Sequence, residues 1–149
     1  LKPFLRHTGP SISPFNAWVL LKGLETMKLR VEAQSRSAHA IAETLSALPG
    51  VTRVLYPHLD SHPQAALSRK QMSLGGTMVT FEVEGGKKKA FDALGSVDTL
   101  IQHPAGLTHR VVEETARRSS GVSDSLLRLS VGLEDTGDLI GDLKQALVA

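Results

Sequence analysis

In LLRLSVGLED, Leu126 to Asp135, one arginine stands in the middle of a run of apolar and small residues. Successive side chains of a strand point to opposite faces. Leu127, Leu129, Val131 and Leu133 therefore form one wholly apolar face, and Leu126, Arg128, Ser130 and Gly132 form the other. An arginine in mid-strand beside small neighbours has room above it for a ligand, and its planar fork matches a carboxylate through two parallel hydrogen bonds. The residues alone leave a second reading open, an arginine on a solvated sheet face or paired with a local Asp or Glu, which is the commoner fate of this residue type.

Other chemistry-bearing residues are less well placed. His58 and His62 have the spacing of zinc ligands on a helix, but Pro57 and Pro63 break regular structure there and no third ligand is evident, so no metal is expected. His103, Thr108 and His109 in IQHPAGLTHR could touch a ligand or serve turn hydrogen bonds. Lys87, Lys88 and Lys89 could bind phosphate, yet three lysines opening a short helix after Gly85-Gly86 read more readily as a solvated face. No Walker loop, GxGxxG, GxSxG or HExxH occurs, and nothing sets a nucleophile beside a base.

These residues need a scaffold, and 149 of them suit one domain with a proper core. Hydrophobic residues at 41% and charged residues at 21% match ordinary globular usage, which argues against disorder or a fibrous repeat. Seventeen basic against fifteen acidic residues leave a net charge of +2, too little for a nucleic-acid binder driven by phosphate neutralisation despite a pI of 9.1. No apolar run approaches a membrane span and LKPFLRHTGP lacks a signal peptide's apolar stretch, so neither membrane nor nucleic acid is an expected partner. The absence of cysteine excludes disulfides and thiolate chemistry and fits a cytoplasmic home. A chain that starts on Leu1 rather than methionine leads to the expectation of residues before it.

Patterning predicts the elements. Ser13-Pro14 starts a long helical region, with Phe15, Trp18, Leu21 and Leu24 at helical spacing, a bend near Gly23, then Ala38, Ile41, Ala42, Leu45 and Leu48 up to Pro49-Gly50. Val51 to Tyr56 reads as a strand, HLDSHPQ as turns and Gln64 to Met72 as a short helix. In Gly76 to Gly85, Thr77, Val79, Phe81 and Val83 alternate with polar-side residues, the mark of a sheet with one buried face. Lys87 to Leu94 looks helical, Thr99 to His103 is a weaker strand, Val112 to Ser119 a helix, and Asp135 or Thr136 caps a terminal helix striped by Leu139, Ile140, Leu143, Ala146 and Leu147. The sum is an α+β fold, a mainly antiparallel sheet with helices on one face.

Taken together, RHTGPSISPFNAWVLLKGLET, VTRVLYPHLDSHPQ, GGTMVTFEVEGG, GSVDTLIQHPAGLTH and GVSDSLLRLSVGLEDTGDLIGDLKQAL resemble the C-terminal part of the Cys/Met-metabolism PLP-dependent enzymes, in family order and over nearly the whole chain. The resemblance implies a fold of the aspartate-aminotransferase type (fold type I), whose small C-terminal domain closes over an amino-acid substrate. Residues 1–50 would then be a leading segment and long helical region and 51–149 the α+β domain, with the domain bearing the PLP lysine upstream. It implies pyridoxal phosphate as cofactor, held mainly by that upstream part. The implied activity is sulfhydrylase, γ-synthase or γ-lyase chemistry on sulfur amino acids, in a homotetramer. It gives Arg128 the substrate's α-carboxylate and reverses the idle reading of that arginine. No catalytic residue is expected in this chain, none of whose lysines stands in the cofactor's motif, so the chain alone should be inactive.

One departure from the family pattern falls between Leu94 and Gly95, where relatives carry a further stretch of about 6 to 10 residues by ordinary strand length. That stretch ends in a serine or asparagine near the substrate carboxylate, at a position aligned here with Ala93. Losing a sheet strand would expose backbone and core, so omission from this sequence is the expectation rather than a true deletion. A competing reading is a stand-alone ligand-binding or interaction module that kept the fold without catalysis. A start codon directly before Leu1, with no lysine motif upstream, would favour it.

Overall fold

The computed structural model describes residues 2, 3, 7, 9, 12–85 and 99–148. They fall into two compact units, Leu1–Arg30 and Val31–Ala149. Ala38, Ile41, Ala42 and Leu45 are buried in the second unit's core.

In the first unit, helix α1 (Pro14–Glu25) begins as its sequence predicts. Ser13 Oγ accepts the Asn16 N–H at 3.2 Å, and Pro14 takes a position where a missing N–H costs no hydrogen bond. The interruption falls at Thr26, just beyond Gly23. Arg30 braces it, donating from Nε to Thr26 Oγ1 at 3.2 Å and from Nη2 to the Gly23 carbonyl at 2.9 Å. None of the α1 residues is buried, the predicted apolar stripe of Phe15, Trp18, Leu21 and Leu24 included.

Helix α2 (Met27–Ala47) stops at Pro49-Gly50, and Gly50, at φ +83°, turns the chain into strand β1 (Val51–Leu55). Helix α3 (Ala65–Gln71) and strand β2 (Met78–Val83) follow, then β3 (Leu100–Gln102), the short helix α4 (Glu114–Ser119), β4 (Leu126–Ser130) and helix α5 (Thr136–Val148). The strands lie in the order β1-β2-β4-β3 and every neighbouring pair is antiparallel. The predicted alternation is realised in β2, where Val79, Phe81 and Val83 are buried while Thr80 and Glu82 are half-exposed. With Leu127, Leu129 and Val131 they form a face covered by Ala38, Ile41, Ala42 and Leu45 of α2 and Leu139 and Leu147 of α5, which is the core.

Tyr56, fully buried after β1, ties α2 to the approach of β2. Its hydroxyl lies 3.1 Å from the Ser35 carbonyl and 3.0 Å from that of Gly76, and burial raises its pKa. Gly75 is a glycine for lack of space, since a Cβ there would stand 2.5 Å from the Tyr56 ring. Asp135 rather than Thr136 caps α5, its Oδ1 accepting the N–H groups of Gly137 at 2.8 Å and Asp138 at 3.2 Å. Asp135→Ala should cost about 1 kcal/mol, read as a lower urea midpoint with unchanged slope.

One expectation fails. Leu133 is not on the apolar face but 57% exposed. Strand β4 ends at Ser130, and beyond Gly132 the chain leaves the pleat that would have carried Leu133 inward. The helix expected over Lys87 to Leu94, the lysines 87–89, Ala93 and the Leu94–Gly95 junction lie outside the described residues.

Candidate anion-binding site

The core-facing side chains of β4 leave Arg128 on the opposite face, as the alternation requires. Register sets its neighbours: Thr80 of β2 stands directly opposite on one side and Gln102 of β3 on the other, making a polar row across three strands. Arg128 donates from Nη2 to Gln102 Oε1. Its Nε is buried and has no hydrogen-bond partner among the described residues. Among the described residues no carboxylate lies within ion-pair distance of Arg128, whereas Arg117 meets Asp124 at 2.7 Å and Arg118 meets Glu114 at 2.8 Å and Asp124 at 3.0 Å. A half-buried cation with a desolvated, unused donor is costly unless an anion completes it. The arrangement can bind a planar oxyanion, and a carboxylate fits its fork best.

The other candidates serve structure. His103 is fully buried. Its Nδ1 accepts the Gly106 N–H at 3.0 Å, so Nε2 carries the proton and donates to the Asp124 carbonyl at 2.8 Å, tying the loop after β3 to the loop before β4. Thr108 and the His109 ring bond each other on the exposed flank of that loop, at 2.9 Å. His62 accepts the Gln64 N–H at 3.1 Å, a turn bond, and no group of three metal-ligating side chains occurs among the described residues.

Sequence reasoning missed a small polar lock at the start of β3. Thr99 Oγ1 donates to Glu134 Oε2 at 2.9 Å and accepts the Gly132 N–H at 2.9 Å, joining the start of β3 to the exit of β4. Only the Thr99 and Glu134 side chains flanking two strand patterns could have hinted at it. Hydrogen bonds, first from its own backbone N–H and then from Thr99, outweigh desolvation and hold the Glu134 carboxyl below its usual pKa. A depressed pKa contributes stability that is present above the ordinary carboxylate pKa and is lost as pH falls through the folded value. Acid titration of the unfolding midpoint should therefore show a decline below about pH 4.3, and Glu134→Gln should flatten it. An unaltered acid limb in that variant would dismiss the lock.

Comparison with known proteins decides the family. The family model described as Cys/Met metabolism PLP-dependent enzyme matches residues 1–148. The chain belongs to the Cys/Met metabolism PLP-dependent enzymes. Members similar to it include an O-succinylhomoserine sulfhydrylase of Mycobacterium tuberculosis, 46% identical over 163 residues, covering 99% of this chain and 40% of that protein. An L-methionine gamma-lyase of Porphyromonas gingivalis is 43% identical over 94% of the chain and 38% of its own length. A cystathionine gamma-lyase of Micromonospora echinospora superposes with a TM-score of 0.88 at 37% identity, covering 99% of this chain and 42% of that one.

The fold is thus that of the C-terminal α+β part of fold type I PLP enzymes, and the chain spans about two fifths of the length of the relatives it matches. The 163-residue alignment outruns the chain's own 149 residues, so it opens gaps in the given sequence.

The family is PLP-dependent, but the residues described here do not form a PLP site. No lysine is buried among them, and Lys22 is exposed and paired with Glu25 at 2.8 Å. Among the described residues no helix is long and apolar enough to cross a membrane.

Proposed function

We propose that this chain is the substrate-closing C-terminal part of a PLP-dependent O-succinylhomoserine sulfhydrylase, in which Arg128 binds the α-carboxylate of the amino acid. The reaction would join O-succinylhomoserine and sulfide to give homocysteine and succinate. The observation that carries the reading is Arg128 itself, held by a neutral amide, with a buried free Nε and no carboxylate partner among the described residues. Supporting it, relatives 46% identical carry that activity in their names, and HTGP before SPFNAW has the form seen in such enzymes.

In this reading 1–50 form the leading segment and long helix and 51–149 the domain that closes over substrate. The PLP lysine lies in a domain encoded ahead of Leu1, and the cofactor provides the electron sink there. The enzyme would be a cytoplasmic homotetramer. Orienting the carboxylate is this part's contribution to the rate, because fixing one end of a flexible substrate fixes the position of its reacting carbons.

A γ-lyase is the second reading, favoured by the 43% identity to an L-methionine gamma-lyase and by TLIQHPAGLTH. The full-length protein, purified with PLP, is expected to form homocysteine and succinate from O-succinylhomoserine and sulfide. Release of an α-keto acid, ammonia and methanethiol from methionine alone would replace the first reading by the second. Neither reaction, with no visible absorption from lysine-bound PLP, would leave the non-catalytic binding module.

A further inference from the structure

Arg128 offers five N–H donors, and a long side chain carrying them is free to sweep unless something holds it. Charged partners such as those that fix Arg69, Arg117 and Arg118 are absent among the described residues around Arg128; what it meets is the amide oxygen of Gln102, directly opposite it in the β3–β4 pairing. Side chains facing each other across an antiparallel pair stand close enough for this contact to follow from the register.

That register is anchored at both ends of the three-residue β3. On one side Thr99 binds Glu134 Oε2 and the Gly132 N–H, each at 2.9 Å, and on the other His103 binds the Asp124 carbonyl at 2.8 Å. Gln102 thus stands on a short strand clamped to its neighbour before and after it. An amide oxygen differs from a carboxylate in one way that matters: it directs the guanidinium without cancelling its charge, whereas a carboxylate there would compete for the fork as Asp124 occupies that of Arg117.

We infer that Gln102 is the positioning residue for Arg128, holding Nη2 so that the remaining donors face an incoming carboxylate at full charge. This rests on the reading of Arg128 as the carboxylate clamp and adds the device that aims it. Its effect is confined to ligands that carry a carboxylate, and it vanishes once Arg128 is gone.

The test is calorimetric binding to the full-length PLP-loaded protein of two unreactive ligands, norleucine and its decarboxylated counterpart n-pentylamine. Gln102→Leu is expected to weaken norleucine by about fivefold to tenfold, the loss of one charge-assisted hydrogen bond's orienting effect, and pentylamine by less than about twofold. In an Arg128→Ala background the same substitution should change neither ligand. Gln102→Met, which keeps the length without the acceptor, repeats the experiment should the leucine variant fold poorly.

Equal losses for both ligands, an equal loss without Arg128, or no loss at all would overturn the role of Gln102. If Arg128→Ala weakens norleucine and Gln102→Leu does not, only this inference falls. If Arg128→Ala leaves norleucine unchanged, the carboxylate reading falls and the inference goes with it.

Discussion

Arg128→Ala in the full-length enzyme is expected to weaken amino-acid binding roughly thirtyfold to a thousandfold while its PLP content stays the same. The size follows from removing one partner of a desolvated, hydrogen-bonded charge pair, about 2 to 4 kcal/mol. The buried Nε and the absence of a carboxylate partner among the described residues mean that the ligand's anion has no substitute on the protein side. Arg128→Lys should recover only part of the loss, because an ammonium is a point charge without the fork that grips both carboxylate oxygens. Binding of norleucine and the visible absorption of the bound cofactor, measured on the same preparations, check both halves of the expectation. An unchanged affinity in Arg128→Ala would remove Arg128 from the site.

Phe81→Ala is expected to cost the fold about 3 to 5 kcal/mol, the range for deleting a buried aromatic ring and leaving a cavity. Phe81 is 1% exposed on β2, an inner strand, facing Val54 of β1 and Leu127 of β4 across the ladder. A domain of ordinary stability has only about 5 to 15 kcal/mol to lose, so the variant should unfold at a much lower denaturant midpoint. Arg128 depends on this indirectly. Thr80 stands beside it in the same β2–β4 ladder that pairs Phe81 with Leu127, so carboxylate binding should fail in this variant at denaturant concentrations that leave the parent folded. An unfolding free energy within about 0.5 kcal/mol of the parent would mean that the core tolerates the void, contrary to what its burial implies.

Much of this was legible before any coordinates. Helix starts and stops are local chemistry, and Ser13-Pro14, Pro49-Gly50 and Asp135 do at the termini what their side chains and rings dictate. Alternation in β2 and β4 named the buried face correctly through Val79, Phe81, Val83, Leu127, Leu129 and Val131, because a pleated strand has a period of two whatever it packs against. The same rule carried too far put Leu133 inside, since alternation holds only while the strand lasts and β4 ends at Ser130.

The sequence by itself determined that Arg128 lies on the face away from the helices and, through its motif blocks, that the chain belongs to a PLP-dependent family. It could not say what stands beside that arginine. Gln102 is 26 residues away in the chain and Glu134 is 35 from Thr99, and neither pairing follows from a local period. Strand order and register, set by how the sheet closes on α2 and α5, bring them together. Residue pattern chose the face of Arg128, and tertiary pairing supplied its neutral partner, Gln102.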